Sequence, residues 1–315
     1  MPELRVVAIG AEGPEDVAVD AEGRILAGLA DGTILRVSLS EAGQLDRSEV
    51  IAHTGGRPLG LETTADGGLL VCDAWRGLLQ VDPGDGAVRV LAHEVEGAPL
   101  RFCSNVAAAA DGTIYFSVSS HRYGLEDWLG DILEQSGAGQ LLRLRPGGDP
   151  EVLLSGLQFA NGVALAADES FVTVAESGAY RLSRFWLAGP QAGRHDTLIR
   201  DLPGFPDNIS RSPGGLFWVA LAGPREASVD WLHRASPVFR WAAWTVVRKF
   251  RPRPRSTVRV LSVSPDGRLL RDLLCSKSPY RMVTSVREHN QRLIMGSLVE
   301  RGVAVCDLFP SAPAF

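Results

Sequence analysis

Three oxygen-bearing side chains, Glu15, Asn161 and Asp207, recur at one phase of a repeating pattern. Each stands seven residues ahead of a tight-turn pair: Glu22-Gly23, Asp168-Glu169 and Gly214-Gly215. Three further restarts share that phase, with Leu59 ahead of Asp66-Gly67, Ser104 ahead of Asp111-Gly112 and Thr284 ahead of Gln291-Arg292. Two carboxylates and an amide are hard oxygen donors, and brought to one axis they suit Ca²⁺, which takes about six to eight oxygens in a tolerant geometry. No histidine holds any of the six positions, which counts against Zn²⁺; Mn²⁺ and Mg²⁺ rank behind Ca²⁺ for the same cage. A bound ion with open positions polarises a carbonyl oxygen, and Asp207, lying against both metal and substrate, is the candidate base or nucleophile, with the choice between those roles open. Taken singly, Asn161-Gly162 and Asp207-Asn208 are ordinary turn dipeptides. The shared phase is what lifts them as a set.

The elements that must position these residues are short strands. In the first unit Val17-Ala18-Val19, Ile25 to Gly28 and Ile34 to Val37 are apolar runs split by Glu22-Gly23 and Asp31-Gly32, a hairpin signal and not a helix period. The pattern restarts from Leu59 to Val90, Ser104 to Leu154, Asn161 to Ile199, Asp207 to Leu274 and Thr284 to Leu308. Units of this size with about four strands each predict an all-β, six-bladed β-propeller forming one domain over residues 1–315. The ring is expected to close when the strand from Leu4 to Ile9 completes the last blade, with the six phase positions gathered at one mouth of the channel.

Two inserts break the strand pattern, at about 121–135 and 224–255. The first, around Leu125, Trp128, Leu129, Ile132 and Leu133, has helical apolar spacing. The second holds Trp231, Phe239, Trp241, Trp244 and Phe250 together with Arg234, Arg240, Arg248, Lys249, Arg251, Arg253 and Arg255, and reads as a basic amphipathic helix ended by a Pro-Arg alternation. It packs on its own propeller, covers the channel mouth as a lid, or touches an anionic membrane through residues 229–255.

The chain has 315 residues, 45% hydrophobic and 22% charged, with a net charge of −5. That charge offers no basic field for a nucleic-acid backbone. The start, Met1 to Arg5, lacks a secretory-signal pattern, and no apolar run reaches spanning length, so a cytoplasmic protein, monomeric or dimeric, is expected. Cys72, Cys103, Cys275 and Cys306 are far apart in sequence and read as buried free thiols.

Further site candidates are weaker. His121 follows the third inner strand and is a candidate base or substrate contact. Arg101 is placed to bind a substrate carbonyl or carboxylate. Phe205, with Phe102, Phe159 and Trp75, is a candidate for the apolar wall of a pocket.

Four stretches, Gly13-Pro14-Glu15-Asp16, Leu100 to Cys103, Phe159 to Leu165 and Leu202 to Ile209, together with Arg184 to Pro190 and the Trp-rich insert, resemble the strictosidine-synthase-like proteins. That group is similar to the regucalcin/gluconolactonase and paraoxonase propellers. The resemblance implies a divalent metal, usually calcium, at the channel mouth, with Glu15, Asn161 and Asp207 matching the family's ligand positions one by one. Glu12 is a rival to Glu15, and the phase favours Glu15. In the third unit relatives show Asn-Asp where this chain has Ser104-Asn105; the longer amide makes Asn105 the expected fourth ligand, with Ser104 the alternative. Strictosidine synthase needs a glutamate where Thr284 stands, so its condensation is not expected here, and Thr284 is left as a substrate-facing ring member.

The resemblance therefore implies a calcium-dependent hydrolase of lactones or carboxylic esters. The alternatives are a metal-stabilised, non-catalytic propeller that binds a partner or membrane surface, and, more remotely, a condensing enzyme.

Overall fold

The protein is described by a computed structural model covering residue 1, residues 3–250 and residues 253–308. Six antiparallel four-stranded sheets follow one another around a ring. Their innermost strands are Val17–Val19, Pro58–Thr63, Cys103–Ala108, Ala160–Leu165, Gly204–Arg211 and Val283–His289. The expected closure is present: Leu4–Ala8 pairs with the strand Gly302–Asp307, Leu4 against Cys306 and Ala8 against Gly302. Leu4–Ala8 is thereby the outermost strand of the last blade, so the start and end of the chain share one sheet and hold the ring closed.

Each interface between neighbouring blades has its own apolar cluster, so the core is distributed around the ring. Leu26, Ile34 and Leu61 join the first and second blades, for example, and Phe171, Phe217 and Leu261 join the fourth and fifth. Fully burying one such side chain contributes about 1.5–3 kcal/mol.

The seven-residue phase has a backbone cause. The residue eight places after the phase position has a positive φ in five blades, Gly23, Gly67, Gly112, Glu169 and Gly215, and in the sixth the positive φ falls one and two places earlier, at Gln291 and Asn290. These residues turn the inner strand into its neighbour, so the distance from turn to channel mouth is the same in five blades and differs by only a residue or two in the sixth.

The inserts form a cap. The first is a 3₁₀ turn, Leu125–Asp127, leading into α1, Trp128–Glu134. The second is two helices where one was expected: α2, Ala227–His233, and α3, Pro237–Val247. α2 ends at its C-cap Arg234, and Ser236 starts α3, its hydroxyl accepting the Phe239 N–H at 3.4 Å with Pro237 at the first helical position, a combination that nucleates the second helix. Leu133, Leu232 and Trp244 bury against one another and hold α1, α2 and α3 together. Among the described residues no helix is long and apolar enough to cross a membrane.

Candidate functional site

The ring alignment brings Glu15, Leu59, Ser104, Asn161, Asp207 and Thr284 to the floor of one cavity of about 430 Å³. In five of the six blades a β-bulge interrupts the inner strand beside the phase residue. A bulge lets two successive residues leave the alternation of an ordinary strand. The first of each pair faces the cavity, and the second lies behind it.

That second layer fixes the first. Asp16 accepts from Val17 N–H at 2.7 Å, from Leu61 N–H of the next blade at 2.9 Å and from the Asn105 amide at 3.2 Å. Asn105 in turn accepts Val163 N–H at 2.8 Å. Where the second residue is Gly60 or Gly162, a Cβ would fall 2.4 Å from Asn105 Cα or 2.3 Å from Ile209 N, so glycine admits the neighbouring blade's backbone. Asn105 is thus not the fourth site oxygen expected from its length: both ends of its amide are spent bridging blades. Ser104 holds the cavity-facing place, its hydroxyl donating to Asn161 Oδ1 at 3.1 Å.

The amide of Asn161 is oriented by Ser177, whose hydroxyl accepts Asn161 Nδ2 at 3.3 Å and donates to Pro206 O at 2.5 Å. This leaves Asn161 Oδ1 on the ring side. Asn208 Nδ2 donates to Glu15 Oε1 at 3.1 Å, and Thr284 donates to the Glu15 carbonyl at 2.6 Å. Behind Glu15 the buried Arg57 donates to Gly13 O at 3.0 Å and Pro58 O at 3.3 Å, bracing the loop that carries the glutamate.

Three buried oxygens at this centre, Glu15 Oε2, Asp207 Oδ1 and Asn208 Oδ1, have no hydrogen-bond partner. Burial pushes the Glu15 carboxyl well above its ordinary range, the Asp207 and Asp16 charges push it further, and Arg57 and Asn208 offset part of this. Burial likewise raises Asp207 well above its usual value, against the hydrogen bond from Asn161. Asp16 is raised to about 6, chiefly by burial, with Arg287 opposing. Buried acids with orphaned oxygens and raised proton affinity are a site short of a positive charge. The donor set of two carboxylates, an amide and a hydroxyl fits a hard divalent cation. Among the described residues no group of three or more His, Cys, Asp or Glu side chains could hold a metal, so any metal here depends on the amide and hydroxyl oxygens as well.

Above this floor the walls are apolar. Phe102 and Phe159 meet edge to face at 5.4 Å, Phe205 packs on Tyr180 at 4.9 Å, and Trp128, Ile132, Trp244 and Val247 of the cap complete the enclosure, with Arg248, Arg253 and Arg255 beside them. Phe205 and Thr284 line this cavity. His121 does not: it is exposed, its Nδ1 lies 2.8 Å from Ala138 O, and it is outside the cavity lining. Arg101 is also exposed and outside the lining, because Phe102, with φ of 56°, turns inward while its predecessor points to solvent. Trp75 is 57% exposed. Glu12 is exposed and pairs with Arg301 at 2.8 Å, which leaves Glu15 alone at the first position. Asp16, Asn105 and Asn208 were legible as the residues one beyond the phase; Ser177, on the 3₁₀ turn Ser177–Ala179, carried no such signal.

The fold and the floor of the cavity define a six-bladed propeller with an oxygen-lined centre at one channel mouth. Family models for strictosidine synthase and for the strictosidine synthase-like N-terminal region match residues 105–190 and 2–37. The adipocyte plasma membrane-associated protein of Gallus gallus is 32% identical over 94% of this chain and 75% of its own length. Strictosidine synthase-like 10 of Arabidopsis thaliana is 39% identical over 70% of this chain and 64% of its own length, so this chain spans somewhat less than two thirds of that relative. The chain belongs to the strictosidine synthase-like family that includes these proteins. Among solved structures, a gluconolactonase from Xanthomonas campestris superposes with a TM-score of 0.68 over 97% of this chain and 89% of its own, at 17% identity. A regucalcin from Agrobacterium tumefaciens does so with 0.62 over 95% and 90%, at 15% identity. At these identities the likeness is one of fold.

Proposed function

We propose that this protein is a calcium-dependent hydrolase of apolar lactones or carboxylic esters. The observation that carries the reading is the pair of buried, unpartnered carboxylate oxygens of Glu15 and Asp207 at the floor of an apolar cavity. Glu15, Asn161 and Asp207 would hold the ion, with Ser104 at the remaining corner. Calcium bound there would polarise the substrate carbonyl and lower the cost of the charge that develops on its oxygen. Asp207, with one oxygen free, accepts the proton of the attacking water or attacks the carbonyl itself. Phe102, Phe159 and Phe205 hold the apolar part of the substrate, and the cap keeps bulk water from it. A cavity of about 430 Å³ matches a small-molecule site. Thr284 presents a hydroxyl already committed to the Glu15 carbonyl, which supports setting condensation chemistry aside.

The test is turnover on a panel of aliphatic lactones and aryl esters with EDTA and with calcium restored. Hydrolysis should vanish with EDTA and return with calcium, and Asp207→Asn should lose at least about 10²-fold in kcat. Hydrolysis that persists in EDTA, or an Asp207→Asn enzyme at the parental rate, refutes the proposal. A calcium-stabilised protein that turns over nothing on the panel would instead establish the non-catalytic reading, in which the ion only braces the ring.

A further inference from the structure

The outward face of the cap is apolar where a solvent-facing helix should be polar. On α3 the inner side, with Trp244 and Val247, packs against α1 and walls the cavity. Its outer side carries Val238, Phe239, Trp241 and Val246, continued by Phe250 beyond the helix and by Trp231 of α2, all between 47% and 77% exposed. Trp231 and Phe239 stack edge to face at 5.5 Å, so the patch is continuous across both helices. A helix apolar on both faces has a partner on both, and only one face of α3 has found one.

The charges around this patch indicate the other. Residues 231–255 contain seven Arg or Lys and no Asp or Glu, in a chain whose net charge is −5; Arg248, Arg253 and Arg255 line the cavity, and Arg240 donates to Gln135 at 3.2 Å, so among the described residues the outer face draws on the others. Arg234 and Lys249 border the aromatic residues and are exposed. Two copies of the chain joined by this face through a two-fold axis would set one basic rim against another. An anionic lipid surface accepts aromatic and aliphatic side chains at the headgroup boundary and pairs with the cations beside them. With 11 residues, α3 is far shorter than the roughly 20 needed to span a bilayer, so on such a surface it would lie in the interface plane.

We propose that the outer face of α2 and α3 is a docking surface for an anionic phospholipid bilayer. The same helices roof the cavity, so docking sets its cap against the lipid, the phase in which an apolar solute concentrates. The proposal stands independently of hydrolysis, since it concerns the opposite face of the cap.

The experiment is flotation of the full chain with vesicles of phosphatidylcholine alone and of phosphatidylcholine mixed with phosphatidylglycerol. The parent should float with the mixed vesicles, weakly with the neutral ones, and less as salt rises. F239E/W241E alters only exposed side chains and should lower the partition coefficient at least about tenfold, its folding checked by circular dichroism. Should that variant not fold, R234E/K249E serves, with loss of binding to the mixed vesicles by about fivefold or more per charge. The proposal is overturned if the parent stays with the soluble fraction for both vesicles, or if the folded variants float like the parent. It is equally overturned if sedimentation shows a parent dimer that F239E/W241E dissociates while neither protein binds vesicles.

Discussion

Calcium should stabilise the parent protein, and the effect should vanish when either central carboxylate becomes an amide. A ligand at 100 times its Kd adds about 2.7 kcal/mol to the folded state. With about 2.1 cal/mol/K of unfolding entropy per residue, the 315 residues give about 0.66 kcal/mol/K, so saturating calcium raises Tm by about 4 °C. Glu15→Gln and Asp207→Asn should each cut that shift to below about 1 °C. Without metal the same variants should melt no lower than the parent. Burial holds both acids well above their ordinary range in the fold, so the folded state takes up protons more readily than the unfolded chain. Their contribution is then complete below the unfolded carboxylate range and is lost as pH rises through the folded values. An amide removes that loss. Differential scanning fluorimetry with EDTA and with calcium, near neutral pH, reads both effects. A parent without a calcium shift, or both variants retaining one, refutes the assignment of the cage; a marked metal-free destabilisation of both variants refutes the electrostatic account of it.

Asn105→Ala should strip the Val163 N–H of its buried partner and Asp16 Oδ2 of one of its two donors, at about 1–3 kcal/mol each, lowering Tm by about 3–9 °C while the calcium shift survives; loss of that shift would return Asn105 to the cage. His233 is half-buried, with Nε2 2.9 Å from Ile132 O and Nδ1 3.1 Å from Gln135 Nε2, tying α2 to α1. Burial, seconded by Arg240, depresses its proton affinity below the ordinary 6.5 despite the Ile132 carbonyl, so protonation favours the undocked helix, and the cap should loosen as pH falls below about 6.5. Hydrogen exchange across 227–247 should rise between neutral and mildly acid pH in the parent and stay level in His233→Gln; a pH-independent parent would refute this.

Much of the ring was legible because a closed propeller repeats its backbone. A positive φ at Gly23, Gly112 or Gly215 needs a turn-forming residue, and the fixed distance from that turn to the channel sets Glu15, Asn161 and Asp207 in phase. The bulges left no mark in composition, however. In a plain strand Ser104 and Asn105 would point to opposite faces, and reach alone then favoured the amide. The bulge puts Ser104 forward and gives Asn105 two blades to bridge.

The inserts were harder still. Apolar spacing announced helices, and Ser236-Pro237 could have marked the break between α2 and α3. His121 and Arg101 looked poised for chemistry because they adjoin an inner strand, yet adjacency in sequence says nothing of which way a loop side chain leaves the backbone. Their partners are solvent and a local carbonyl.

The amino-acid sequence by itself determined the blade count, the closing strand and that Glu15, Asn161 and Asp207 reach the axis, since these follow from local turn chemistry repeated around the ring. Only the tertiary structure decided that Asp16, Asn105 and Asn208 form a supporting layer, that two helices roof the cavity, and that one face of that roof is left apolar. Those are contacts between blades and inserts far apart in the chain, and no local pattern encodes the direction from which a distant partner arrives.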